Sequence, residues 1–285
     1  MMQVRWRINL FGQLSAERGE HRIAHFKTNK TGILLACLAH EPHRRFRRDE
    51  LIEQLWPGDA LEQGRNNLRV SLAFLRQALE PDAEERGAVL AADREVVYLN
   101  DDSFVTDSED FEQRLKTAAE QADDACRIVH LQGAVQMYQA EFLLDFDAPW
   151  ISAERLRLAD AYHGGMAALA LAHAGLNQLD HALAAAQISL RAAPHREETH
   201  RLMMQIHALM GRPHAALRQY RELDAMLGAE MGASPSNRTK TSKGAEVRAE
   251  VNQTSRRMRI RARSGNRSSP RLFRIRPAFD PARGR

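Results

Sequence analysis

A chain of 285 residues is long enough for two domains and a tail. Its formal net charge of +4 hides an uneven distribution: residues 1–100 carry 15 basic and 14 acidic side chains, residues 101–236 carry 11 and 20, and residues 237–285 carry 15 and 3. Overall charge is thus no guide to a polyanionic partner; two cysteines exclude a disulfide framework or a cysteine-rich zinc site, and no run reaches the roughly 18 apolar residues that span a membrane.

Val4, Trp6, Ile8 and Leu10 alternate with polar partners and predict a half-buried strand. Gly12 and Gly19 punctuate further short strands ahead of Ile23 and Phe26. A first helix is expected from Asn29 to Ala39, with Ile33, Leu34, Cys37 and Leu38 inward and Pro42 closing it. A second runs from Arg48 to Trp56, stopped by Pro57 and Gly58, with Leu51, Leu55 and Trp56 packed. The third, RNNLRVSLAFLRQAL (Arg65 to Leu79), carries an apolar stripe of Leu68, Leu72, Leu75 and Leu79. Arg65, Asn66, Arg69, Ala73 and Arg76 fall largely on the other face. Val89–Leu90 and Val96–Leu99, around Asp93-Arg94-Glu95, read as a hairpin.

Strands, three helices and a hairpin in that order make a winged helix-turn-helix with an extra N-terminal sheet. Such a domain sets its third helix in the major groove of double-stranded DNA. The candidate contacts are Arg65, Asn66, Asn67 (placed at the helix start), Arg69 and Arg76 on that helix, with Arg94 at the wing tip. Arg44, Arg45, Arg47 and Arg48 ahead of helix two suit phosphates. Arg76 has a second reading as an ordinary i,i+4 ion pair with Glu80, and Arg44–Arg48 a second reading as a solvated loop. Glu84 and Glu85, near the wing, oppose a close phosphate contact there.

From Phe111 the periodicity is helical: about 111–121, 125–142, a helix begun by Trp150, Ile151, Leu156 and Leu158, then two stretches that align at an offset of 34 residues. In that alignment Leu169 meets Met203, Asn177 meets Gly211, Ala182 meets Ala216 and Ala186 meets Tyr220. This is the tetratricopeptide period. The alanines allow close helix approach, and Gly211 and Asn177 suit a left-handed turn. A short stack of helical hairpins follows, with a concave face for a peptide, another domain or a second copy, or with no ligand at all.

The Asp102, Asp107, Glu109 and Asp110 cluster reads as a polar linker capped at Asp107 or Ser108 rather than a metal site. No phosphate loop, nucleophile elbow or acid–base pair is found, and the twelve histidines form no metal motif. No catalytic residue, cofactor or metal is expected. Cys37 and Cys126 both read as packing residues, a single disulfide being the alternative. Arg5 and Arg7 interrupt the only early apolar run, so no signal peptide is expected and a cytoplasmic location follows. Residues 237–285, with Arg256, Arg257, Arg259, Arg261 and Arg263, form a basic low-complexity tail expected to be disordered. That tail has three readings: it grips phosphates, it folds back on the acidic helices, or it has no role.

The segments RRDELIEQLWPGD (Arg47–Asp59), RNNLRVSLAFLRQAL (Arg65–Leu79), YQAEFLLDFDAPWI (Tyr138–Ile151), ERLRLADAY (Glu154–Tyr162) and LGAEMGASPS (Leu227–Ser236) occur in an order and spacing that resemble the bacterial transcriptional activation domain family of regulators, the antibiotic regulatory protein type. The resemblance covers residues 1–236. It implies a mainly α architecture: a winged helix at 1–100 with its wing around Asp93–Tyr98, then a tetratricopeptide-like domain at 107–236. It further implies binding to promoter DNA and a helical domain that supports activation and self-association; on this reading the helices hold two copies together or touch RNA polymerase. The family usually continues after the LGAEMGASPS-like stretch into a last helix, which the basic composition from Asn237 onward does not predict. The alternative is a protein-interaction scaffold whose winged helix is structural or binds protein.

Overall fold

The computed structural model describes residues 5–242; the five tail arginines singled out above lie outside them. Its N-terminal half holds two small sheets around three helices. Strands β1 (Trp6–Asn9), β2 (Ser15–Arg18) and β3 (His21–Ile23) form an antiparallel meander. Trp6 and Ile8 point inward, as the alternation requires. Helices α1 (Asn29–His40), α2 (Arg48–Leu55) and α3 (Leu61–Leu79) follow. Strand β4 (Phe46–Arg47) joins the wing strands β5 (Leu90–Ala92) and β6 (Val96–Leu99) in a sheet of order β4-β6-β5.

Helix α3 starts one turn earlier than its sequence suggested. The turn at Gly58, with φ of 89°, is short enough for the chain to re-enter a helix at Leu61. Its leucine stripe is buried as expected. Gly64 faces α2 so closely that an added Cβ would lie 2.4 Å from Ile52 Cγ2. Any larger residue there would push α3 away from α2. Trp56 is half-buried against the same core.

The C-terminal end of α3 is a joint. Trp6 Nε1 donates to the Leu79 carbonyl at 3.1 Å, tying in the first sheet. The buried Glu80 carboxylate accepts from the backbone N–H groups of Gly87, Val89 and Leu90 at 2.9, 2.7 and 2.7 Å, which fixes the base of the wing. Arg76 supplies the countercharge, 3.7 Å from Glu80, and donates to the Leu90 carbonyl at 3.3 Å.

The acidic segment after the wing is not a linker. Strand β7 (Phe104–Thr106) pairs in parallel with β1 and completes the order β3-β2-β1-β7. Thr106, not Asp107 or Ser108, caps the next helix by accepting from the Glu109 N–H. Asp107 is buried because it binds a distant strand end instead. Its carboxylate accepts from the Leu10 and Phe11 N–H groups at 2.7 and 3.0 Å. Burial pushes this carboxyl above its ordinary range, against the pull of those donors.

Six helices follow: α4 (Asp107–Glu120), α5 (Asp124–Met137), α6 (Pro149–Gly175), α7 (Leu179–Ala192), α8 (Glu197–Leu209) and α9 (Pro213–Met231). The 34-residue echo is visible in the backbone. Asn177 and Gly211 take φ of 57° and 69°. The next N–H in each case, from Gln178 and Arg212, reaches back to His173 and His207 at 2.8 Å. Ala182 and Ala216 are buried at the helix crossings. The second helix of the first hairpin stops at Met137 rather than near 142. The chain from Tyr138 instead crosses to the N-terminal sheet, where Leu143 N–H bonds the Leu10 carbonyl and Gly12 N–H the Glu141 carbonyl, each at 2.8 Å. Arg155 holds this crossing by donating to the carbonyls of Phe142 and Phe146, both at 2.7 Å. One apolar core thus runs from Trp6 through Leu79 and Val97 to Phe111, Phe142 and Leu158.

Two further expectations need correction. Cys126 is exposed on α5, while Cys37 is buried, its thiol pushed up to about 12 by desolvation; both are free. Helical structure resumes at residues 237–242, within the stretch read as a tail, because Thr239 is buried and bonds Glu197 at 2.6 Å. No helix of the described residues is long and apolar enough to cross a membrane.

Replacing Glu80 by Ala strands three backbone donors and should cost about 3 kcal/mol in denaturant unfolding, with Glu80→Gln costing less because one acceptor oxygen survives. Burial also holds the His40, His163 and His207 imidazoles below their usual range. Groups with a depressed folded value stabilise the fold above the ordinary histidine range and lose that contribution as pH falls through the folded value. Acidification from about pH 7.5 to pH 5.5 should therefore lower the denaturant midpoint, and His163→Gln should flatten part of that slope.

Candidate nucleic-acid interface

An open cleft of about 990 Å³ lies between the start of α2, the exposed side of α3 and the wing tip. Arg47, Arg48, Arg65, Arg69 and Arg94 line it, with Asp49, Asp93, Glu95, Ile52 and Val96. The five arginines meet there because β4 ends at Arg47 and α2 begins at Arg48 beside the wing. Arg48 N–H bonds the Glu95 carbonyl at 2.9 Å and Arg48 Nε the Asp93 carbonyl at 2.8 Å.

Two of the three acidic residues in the cleft, Asp93 and Asp49, have structural roles. Asp93 accepts from the Glu95 and Val96 N–H groups at 2.7 and 2.8 Å and so shapes the wing turn. These bonds hold its carboxyl below the usual range. Asp49 sits in the first turn of α2, where a negative charge complements the helix dipole. Arg65 pairs with Glu62 at 3.1 Å, and Arg69 donates to the Asn66 side chain at 2.9 Å. All four are exposed.

The other candidate residues lie elsewhere. Arg76 is turned to Glu80 and the base of the wing, as its ion-pair reading anticipated. Asn67 is not at the helix start, since α3 begins at Leu61; its amide bonds Asp59 and Gln63, each at 3.0 Å. Arg44 pairs with Glu41 and Glu50 and stacks on Phe46. Arg45 stacks over Tyr98 at 4.8 Å and borders a separate depression with His43 and Asp101. Glu85 is drawn off to Arg18 at 2.8 Å and does not line the cleft. The candidate contacts omit Gln63 and Val70, both exposed on α3: a start at Arg65 leaves the first out, and Val70 carries no hydrogen-bond donor.

Comparison with known proteins agrees with this architecture. The model for the C-terminal domain of transcriptional regulatory proteins matches residues 26–99, and that for the bacterial transcriptional activator domain matches residues 106–247. The comparison with curated proteins gave no match. Among solved structures, EmbR of Mycobacterium tuberculosis, in complex with a low-affinity phosphopeptide, is similar with a TM-score of 0.76 and 20% identity, over 88% of this chain and 70% of that one. At that identity the likeness speaks for the fold. The winged helix, the helical hairpins and both family matches lead to one conclusion: the chain belongs to the family of transcriptional regulators that join a winged helix to a bacterial transcriptional activator domain.

Proposed function

We propose that this protein is a sequence-specific DNA-binding regulator that activates transcription. The observation that carries the reading is the convergence of Arg47, Arg48, Arg65, Arg69 and Arg94 on one open cleft. A concave surface on which arginines outnumber carboxylates by five to three has a net positive potential, which concentrates polyanions and steers their approach. In this reading α3 enters the major groove, Arg47 and Arg48 meet phosphates at its edge, and Arg94 reaches the neighbouring minor-groove backbone. Arg65 and Arg69 exchange Glu62 and Asn66 for DNA. Exposed pairs of this kind are worth only about 0–1 kcal/mol, so the exchange costs little. Arg44, neutralised by Glu41 and Glu50, and Arg45, at a separate depression, take no part in this reading. The helical half holds a second copy or touches RNA polymerase, a role suggested by the activator-domain match.

Selection of duplexes from a random pool by the full chain tests the proposal. An enriched motif should emerge and bind at least about a thousandfold more tightly than unrelated DNA. Arg48→Ala should weaken binding to every sequence and reduce the slope of log affinity against log salt by about 0.9. Equal affinity for all duplexes at about 150 mM salt would overturn the proposal.

A further inference from the structure

The exposed side of α3 carries two strips of different chemistry. The strip that lines the cleft is charged and holds Arg65 and Arg69. Beside it, Gln63, Asn66, Val70, Ala73 and Gln77 recur at steps of three and four, so they share one face, and all five are exposed. None is ionisable. A single exposed valine is ordinary on a protein surface. Here, among the described residues before 107, Val70 at 40% exposure and Leu61 at 52% are the exposed large apolar side chains, and both lie on α3. Val70 follows Asn66 by one turn and precedes Ala73 by three residues, in the middle of the helix.

The major groove offers matching partners for such a strip. Carboxamides pair with the N6 and N7 edge of adenine, and small apolar groups pack on the thymine C5 methyl. Guanine, by contrast, is read by arginine or lysine, and those side chains belong to the other strip. We propose that the uncharged strip reads A·T base pairs, with Val70 and Ala73 against thymine methyls and Asn66 on an adenine edge, while Arg65 and Arg69 stay on the charged side of the groove. The Asn66 side-chain oxygen now accepts from Arg69 at 2.9 Å; transfer of Arg69 to DNA releases it for the base. This inference rests on the DNA-binding reading and adds the class of sequence that α3 selects.

The test uses the full chain and the best duplex from the random pool. Each thymine is replaced in turn by deoxyuridine, which removes the C5 methyl alone. One or two positions should lose about fourfold in affinity, the worth of one buried methyl. Val70→Ser should erase the loss at one of them without changing the melting temperature or the salt slope. Ala73→Ser serves as the second variant, and Arg65→Ala should leave the discrimination intact. Unchanged affinity at every deoxyuridine position, or a selected motif without A·T pairs, would overturn this inference and leave the regulator reading standing. Failure to select any sequence would overturn both.

Discussion

The end of α3 is the point on which the working geometry depends. Leu79 offers its carbonyl to Trp6, and Glu80 gathers three N–H groups from the start of the wing. The first sheet, the third helix and the hairpin are therefore tied within two residues of one another. The cleft opens at the other end of the same helix. A helix is stiff over 19 residues, so fixing its C-terminal end against the base of the wing sets the distance between Arg65 or Arg69 and the wing tip. Buried carboxylates are costly unless their oxygens are filled; here the cost is offset by backbone donors that the turn at Gly87 would otherwise leave without partners.

A second carboxylate joins the two halves of the molecule. Asp107 stands at the start of α4 and binds the backbone of Leu10 and Phe11, while β7 just ahead of it lies along β1. The crossing from Tyr138 to Ala148 then returns the chain to the same sheet, with Phe142 and Leu143 fully buried. The N-terminal sheet serves as a shared floor, and apolar contacts pass across it from the winged helix to α6. A partner bound to the helices would act on a body already packed against the winged helix, without a flexible connection between residues 99 and 107.

Charge at the cleft follows from division of labour among side chains. Of the four arginines between Arg44 and Arg48, Arg44 and Arg45 are engaged by Glu41, Glu50 and aromatic faces, and Arg47 and Arg48 reach the cleft. In the sequence the four are equivalent neighbours. Their separation comes from the short strand at Phe46–Arg47, whose buried phenylalanine anchors the turn. Arg76 shows the same limit: helical spacing allows it either the basic face or an ion pair with Glu80, and the wing folding over the end of α3, where Arg76 also donates to the Leu90 carbonyl, decides for the pair.

Local patterns decided a great deal. The leucine period set the buried side of α3, the alternation at Trp6 and Ile8 set the first strand, and the 34-residue echo set two helical turns down to the left-handed residues Asn177 and Gly211. These are short-range effects of side-chain period and backbone sterics, so neighbouring residues suffice to determine them. The parallel pairing of β7, the crossing at Tyr138, the roles of Glu80 and Asp107 and the company of Arg48 were settled only by tertiary structure. Each depends on which distant backbone donor or carbonyl is brought within about 3 Å, and that distance is fixed by the packing of the whole chain.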